Sequence, residues 1–206
     1  MIGKFIALKA VAIPLDRVNV DTDAILPARF LKTVKRTGLG DSLFHAWRYD
    51  EDGSETPGFP LNRTPYRGGK ILVTGDNFGC GSSREHAVWA LLDYGIRVVI
   101  APSFSDIFYT NGIKNGMLPV RLPAREVREL IARLEGSPGS AISVDLPAQK
   151  VTGPDGASYP FDIGAFPKEC LLKGLDEIAL ALEHEPEISR YERDWKTKTP
   201  WLFLDI

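Results

Sequence analysis

Apolar residues fall along this chain in short runs separated by polar stretches rich in glycine and proline, and the runs differ in spacing. Lys70-Ile71-Leu72-Val73-Thr74 and Arg97-Val98-Val99-Ile100-Ala101 are continuous apolar segments of strand length, ended by Gly75 and Pro102, and read as strands buried on both faces. Between them Ala87, Val88, Leu91 and Leu92 recur at helical spacing before Gly95. Residues 70–101 therefore predict a βαβ unit, with parallel strands and a right-handed crossover. Phe5 to Pro14 predicts an opening strand, Ser103 to Asn115 a second helix closed by Gly116, Met117 to Val120 a strand and Glu126 to Leu134 a helix. Ala141 to Val144, Lys150 to Thr152 and Ala157 to Phe161, joined by Gly-Pro and Asp-Gly turns, predict a β-meander.

Other segments are less regular. Leu39, Leu43, Phe44 and Trp47 share the spacing of one helical face, which predicts a helix over 39–47, and the Gly/Pro-rich stretch from Tyr49 to Gly69 predicts a long loop. Asn19-Val20-Asp21-Thr22-Asp23 is turn chemistry, because Asn and Asp side chains bond nearby backbone amides. Cys170 to Tyr191 is helical in pattern, and Trp195 and Trp201 follow in a polar tail of the kind that docks on another surface. The fold class expected is α/β, with residues 1–206 as a single domain carrying a helical C-terminal extension from about 170–206.

Bulk properties narrow the function. A net charge of −2, from 25 Lys+Arg against 27 Asp+Glu, leaves no basic surplus for neutralising phosphates, so nucleic acid is not an expected partner. No run approaches the roughly 18 apolar residues of a membrane span, and the apolar N-terminus reads as a strand rather than a leader. Cys80 and Cys170, far apart in sequence, give no disulfide framework and fit a reducing compartment, so a cytoplasmic protein is expected.

Candidate chemistry concentrates in Gly75-Asp76-Asn77-Phe78-Gly79-Cys80-Gly81-Ser82-Ser83-Arg84-Glu85-His86, between the first buried strand and its helix. Ligands in α/β sheets bind at the carboxyl ends of strands, and amides at a helix start favour an anion. Neither common phosphate motif fits. Gly75 has no glycine five positions on and no Gly-Lys-Ser/Thr follows, while Gly79-x-Gly81 has Arg84 where a third glycine belongs. A guanidinium there can grip a carboxylate in a two-point fork, so the loop reads as a carboxylic-acid site. Local pattern also offers plainer readings. Ser82-Ser83-Arg84-Glu85 is a capping box with Ser82 as N-cap and Glu85 reaching back. Ser83 reads as a helix-start residue, Cys80 as packing and His86 as a hydrogen-bonded structural histidine.

The run Gly75 to Ala87 resembles the serine loop of the aconitase superfamily, and within it the small subunits of bacterial 3-isopropylmalate dehydratases. The resemblance extends to Asn19–Thr33 (NVDTDAILPARFLKT), Ser103–Val120 (SFSDIFYTNGIKNGMLPV) and Phe166–Ile178 (FPKECLLKGLDEI), and so spans nearly the whole chain. It implies a swivelling β/β/α domain that closes over a hydroxy-dicarboxylate substrate lying on a [4Fe–4S] cluster. A large subunit, in a heterodimer or heterotetramer, would hold that cluster. A cluster needs several closely spaced Cys thiolates, and two distant cysteines do not supply them, so no metal or cofactor is expected in this chain.

Carried onto matching positions, the resemblance implies Ser82 as the catalytic base and Ser83 and Arg84 as substrate-carboxylate contacts. It makes Phe30-Leu31-Lys32-Thr33 the loop that meets the substrate's distinguishing group. Leu31 would suit an isopropyl group, and Lys32 would suit a further carboxylate. Asp21, Thr22, Asp23, Gly79 and Gly81 are expected to shape the loops. The implied reaction interconverts 2- and 3-isopropylmalate through isopropylmaleate in leucine biosynthesis. Alternatives are a related hydro-lyase acting on homoaconitate, citraconate or dimethylmalate, or a binding or regulatory subunit without catalysis.

Overall fold

The computed structural model describes residues 3–203. Met1, Ile2 and residues 204–206, which belong to the expected N-terminal apolar segment and C-terminal extension, lie outside the described residues.

The buried apolar runs form the parallel half of one seven-stranded sheet. Strands β1 (Ala7–Leu15), β2 (Ile71–Thr74), β3 (Val98–Ala101) and β4 (Leu118–Arg121) pair in parallel. The meander β5 (Ala141–Asp145), β6 (Lys150–Thr152) and β7 (Ser158–Pro160) continues antiparallel from the other edge of β1, giving the order β4-β3-β2-β1-β5-β6-β7. Period-2 alternation splits the central strands between two cores. Leu72, Val99 and Ala101 face one and Ile71, Val73, Val98 and Ile100 the other. Both faces are covered, which is why these strands read as unbroken apolar runs.

Two short helices, α1 (Thr22–Ile25) and α2 (His45–Arg48), lie on the N-terminal side of the chain. Helix α3 (His86–Tyr94) follows β2, and α4 (Asp106–Lys114) and α5 (Ala124–Gly136) follow β3 and β4. Ala87, Val88, Ala90 and Leu91 of α3 enter the first core with Ile25, Leu26, Leu43 and Phe44, while Val127, Leu130, Ile131 and Leu134 of α5 enter the second. Helices α6 (Ala165–Lys173), α7 (Glu177–Leu182) and α8 (Glu185–Lys198) end the regular structure, and α8 buries no residue. No helix among the described residues is long and apolar enough to cross a membrane.

The helix expected over 39–47 is broken. A 3-10 turn spans Gly40–Ser42, Phe44 adopts left-handed backbone with φ 52°, and only His45–Arg48 is α-helical. The apolar spacing came from Leu39, Leu43 and Phe44 all being buried, from a turn and a short helix rather than one continuous face. Within the expected loop 49–69, Pro60–Asn62 forms a 3-10 turn.

Candidate functional site

Segments 16–33, 75–86 and 102–105 meet beyond the carboxyl ends of β1, β2 and β3. Parallel pairing does not stop at the strand ends but continues sparsely into these loops. The amides of Gly75, Asn19, Gly79 and Thr22 donate in turn to the carbonyls of Arg17, Asp76, Val20 and Cys80, at 2.7–3.0 Å. On the other side the Phe78 amide donates to the Ser103 carbonyl and the Ser105 amide to the Phe78 carbonyl, both at 3.1 Å. The serine loop is thereby held from two sides by backbone that side-chain changes cannot remove.

Side chains lock the same frame. Asn19 and Asn77 both adopt left-handed φ, 54° and 57°, which Asn tolerates better than most residues, and Asn77 Nδ2 donates to Asn19 Oδ1 at 2.8 Å. Ser103 Oγ accepts from the Asn77 amide and donates to the Asp76 carboxylate. Ser105 Oγ donates to the Gly79 carbonyl at 2.7 Å while accepting from the Phe108 amide as N-cap of α4. Phe78, fully buried, packs edge-on against Phe108 at 5.1 Å. Gly79, at φ 74°, leaves no room for a side chain, since a Cβ would lie 2.2 Å from Phe108 Cγ.

This frame delivers Ser82 to the surface. Its backbone is fixed by Thr22, whose hydroxyl lies 3.2 Å from the Ser82 amide and 3.3 Å from the Ser82 carbonyl. The Ser82 hydroxyl meets no hydrogen-bond partner among the described residues, and Ser82 and Ser83 are both exposed. The capping box does not form. Helix α3 begins at His86 with Glu85 as N-cap and no side-chain cap bond, because Glu85 Oε1 turns instead to Asn115 Nδ2 at 2.7 Å and Trp89 Nε1 at 3.3 Å. The amides of Ser83, Arg84, Glu85 and His86 meet no partner among the described residues and stay free to donate to an anion.

Arg84 Nη1 pairs with Asp23 Oδ1 at 2.7 Å. That bond, then the Ala28 amide at 3.0 Å, holds the Asp23 carboxyl below the ordinary carboxylate range. Asp21 caps α1 by accepting from the Ala24 amide at 2.6 Å. Cys80 is half-buried, and burial, then the Asp21 charge, pushes its thiol pKa up, which disfavours the thiolate. Gly81, at φ 90°, stands over Asp21 and Thr22. The structure thus brings together Asp21, Thr22, Asp23, Gly79, Gly81, Ser82 and Arg84, with Ser83 on the same loop.

The second segment approaches by another route. Leu31 and Phe30 are partly buried against the first core, while Lys32 is exposed with no partner among the described residues. The Thr33 carbonyl lies 3.0 Å from His86 Nε2. Sequence reasoning missed Arg29 and His45, which no local motif marks. Arg29 Nη2 lies 2.8 Å from His45 Nδ1 beside the Phe30 ring. Burial, then the Arg29 and Arg48 charges, lowers the His45 pKa. Among the described residues no group of three or more His, Cys, Asp or Glu side chains could hold a metal ion.

Residues 2–125 match the family model of the aconitase C-terminal domain. Residues 128–165 match a model described as LeuD_N, and residues 177–205 match the C-terminal domain of the 3-isopropylmalate dehydratase small subunit. The chain is 55% identical over 199 residues to the 3-isopropylmalate dehydratase small subunit of Parvibaculum lavamentivorans, covering 97% of this chain and 99% of that one. It is 54% identical, with the same coverage, to that of Paramagnetospirillum magneticum. A crystal structure of 3-isopropylmalate dehydratase from Methanocaldococcus jannaschii is similar, with TM-score 0.66 and 28% identity over 90% of this chain and 99% of that one.

Proposed function

This chain belongs to the family of 3-isopropylmalate dehydratase small subunits, and we propose that within that hydro-lyase of leucine biosynthesis it supplies the catalytic base, Ser82, to a site completed by a large subunit. The observation that carries the reading is the placement of Ser82. Its backbone is fixed on both the amide and carbonyl sides by Thr22, while its hydroxyl is exposed and unpartnered among the described residues.

In the reaction, Ser82 Oγ removes the proton from the carbon next to a substrate carboxylate as the hydroxyl leaves the neighbouring carbon and the alkene forms. On rehydration the hydroxyl adds to the carbon that lost the proton, and Ser82 Oγ returns a proton to the carbon that lost the hydroxyl. Arg84, with Nη1 on Asp23, keeps its other N–H groups for that carboxylate, and Ser83 offers a hydroxyl beside it. A serine hydroxyl is a poor base, and the donors at the start of α3 must stabilise its alkoxide. Magnitudes decide where this can happen. Opposite charges 4 Å apart gain about 1 kcal/mol in water and about 4 kcal/mol at an effective dielectric near 20. On the open surface seen here the stabilisation is weak, and a partner that covers the loop strengthens it several-fold. The isolated chain is accordingly inactive in this reading.

A [4Fe–4S] cluster does not fit this chain's donors. Cys80 sits in the serine loop, Cys170 is buried in α6, and neither belongs to a group of three or more His, Cys, Asp or Glu side chains that could hold a metal among the described residues. We assign the cluster, and with it Lewis-acid help to the leaving hydroxyl, to the large subunit. A heterodimer or a dimer of heterodimers satisfies this division, and two free cysteines suit the reducing cytoplasm.

Lys32, exposed and unpartnered among the described residues, favours one second reading, in which the substrate bears an additional carboxylate as homoaconitate does. Mixing the chain with the cluster-loaded large subunit tests both. Formation of isopropylmaleate from 3-isopropylmalate only when both chains are present supports the first reading. Turnover of homoaconitate but not isopropylmalate supports the second, and turnover of neither overturns the assignment.

A further inference from the structure

His86 and Trp89, on the first turn of α3, have no part in the chemistry above, yet both reach the loop after Lys32. The Thr33 carbonyl can only accept, so His86 Nε2, 3.0 Å away, carries a hydrogen and donates. The imidazole packs on Trp89 with centroids 4.5 Å apart. Trp89 in turn receives the Arg36 guanidinium over its ring at 5.2 Å, a cation–π contact. Trp89 does not float. Its Nε1 donates to Asn115 Oδ1 at 3.1 Å and to Glu85 Oε1 at 3.3 Å, and Asn115, 8% exposed, donates to the same Glu85 oxygen.

The segment held this way has no regular structure from Leu31 to Gly38, and Val34 stands 93% exposed. Left alone, such a stretch samples many conformations, and ordering each residue costs about 1–2 kcal/mol. Two contacts from α3 remove much of that freedom, and they come from the helix that begins four residues after Ser82. The spacing between the serine loop and Leu31-Lys32 is then set through α3.

We propose that His86 is a positioning residue for substrate selection, holding Thr33 so that Leu31 and Lys32 stand at a fixed distance from Ser82, with the Trp89–Arg36 contact holding the far end. This rests on the reading that residues 30–33 meet the substrate's variable substituent. A loosened loop harms discrimination more than chemistry, because the proton transfer is made by Ser82 on a separately fixed frame.

The test compares hydration of isopropylmaleate and methylmaleate by the assembled pair. His86→Ala is expected to lower the isopropyl-over-methyl ratio of kcat/KM about 5- to 20-fold, mainly through KM for isopropylmaleate, with kcat on methylmaleate within about 3-fold of the parent. His86→Gln, which keeps a side-chain N–H, is expected to recover part of the ratio, and the surface change Arg36→Gln to lower it about 2- to 3-fold. Equal loss of kcat on both substrates, or no loss on either, overturns the proposal. Backbone nitrogen-15 relaxation on the full chain alone gives a readout without turnover. Order parameters of residues 32–36 are expected to fall below the parent's in His86→Ala, with the later turns of α3 unchanged. Unchanged order parameters there overturn the clamp. A fall in His86→Ala, beside a parent pair that hydrates neither substrate, keeps the clamp and overturns instead the reading of function.

Discussion

The Thr22 hydroxyl and the Ser82 backbone, 60 positions apart in sequence, lie 3.2 Å and 3.3 Å from one another at the serine's amide and carbonyl. Thr22 is 2% exposed, so its side chain ties the serine, within the backbone frame of the loop, to the core. Thr22→Val keeps the shape but leaves the Ser82 amide and carbonyl to water. Turnover of the assembled pair is expected to fall about 10- to 100-fold, in line with the sensitivity of reacting groups to displacements near 1 Å. Stability is expected to fall by about 1 kcal/mol. Thr22→Ser is expected to restore most of both, as read by kcat and by the midpoint of denaturant unfolding.

Gly79 tests the frame rather than the chemistry. A methyl group there meets Phe108 at 2.2 Å and must also accept φ 74°. Gly79→Ala is expected to cost about 2–4 kcal/mol, since overpacking and backbone strain act together. Thermal melting of the isolated chain checks it. A melt within a degree or two of the parent means that the aromatic cluster can give way.

The Asp23–Arg84 pair gives a pH prediction with a definite sign. The Asp23 carboxyl titrates below its unfolded value because Arg84 and the Ala28 amide favour the anion. The pair is therefore fully present above an unfolded pKa of about 3.9 and is lost only as pH falls through the lower folded value. Little stability is at stake, because the Asp23 side chain is 61% exposed and solvent screens it. Carbon-detected titration of Asp23 is expected to show a midpoint below the ordinary carboxylate range, returning upward in Arg84→Gln. A midpoint unmoved by Arg84→Gln contradicts the pairing.

Much of the fold was legible in the sequence, for physical reasons that also explain where it was not. Ile71–Val73 and Val98–Ile100 are buried on both faces, so their apolar runs are unbroken, and the helical spacing from Ala87 to Leu92 reports one core-facing stripe. The helix expected over 39–47 failed because burial at Leu39, Leu43 and Phe44 mimics helical periodicity whatever backbone delivers it. At the site, the Gly75 to His86 run stood out by residue type alone. The capping box read there was wrong because Glu85 is drawn to Asn115 and Trp89, neither of which the local window contains. The grip of Thr22 on Ser82, and of His86 on Thr33, joins residues more than fifty positions apart and leaves no local trace. Arg29 and His45, only 16 positions apart, were missed because no local motif marks their contact.

Helix α8 offers a prediction in the opposite direction. It spans Glu185–Lys198 without burying a residue, and Tyr191 and Trp195 stack on one another in the open. Deleting residues 185–206 is therefore expected to shift the melting temperature of the chain by less than about 3 °C, about the shift that 1 kcal/mol produces in a domain of this size. A larger drop means that the segment packs on the body of the fold.

Whether Ser82 carries the proton is measured most directly by Ser82→Ala assembled with the large chain. The variant is expected to keep the parent's circular dichroism, melting temperature and association with that chain, since the Ser82 hydroxyl holds nothing among the described residues. Its kcat for isopropylmalate dehydration is expected to fall by about 10³-fold or more, the upper part of the range for losing a general base. A kcat within a few-fold of the parent, at equal association, would contradict the account.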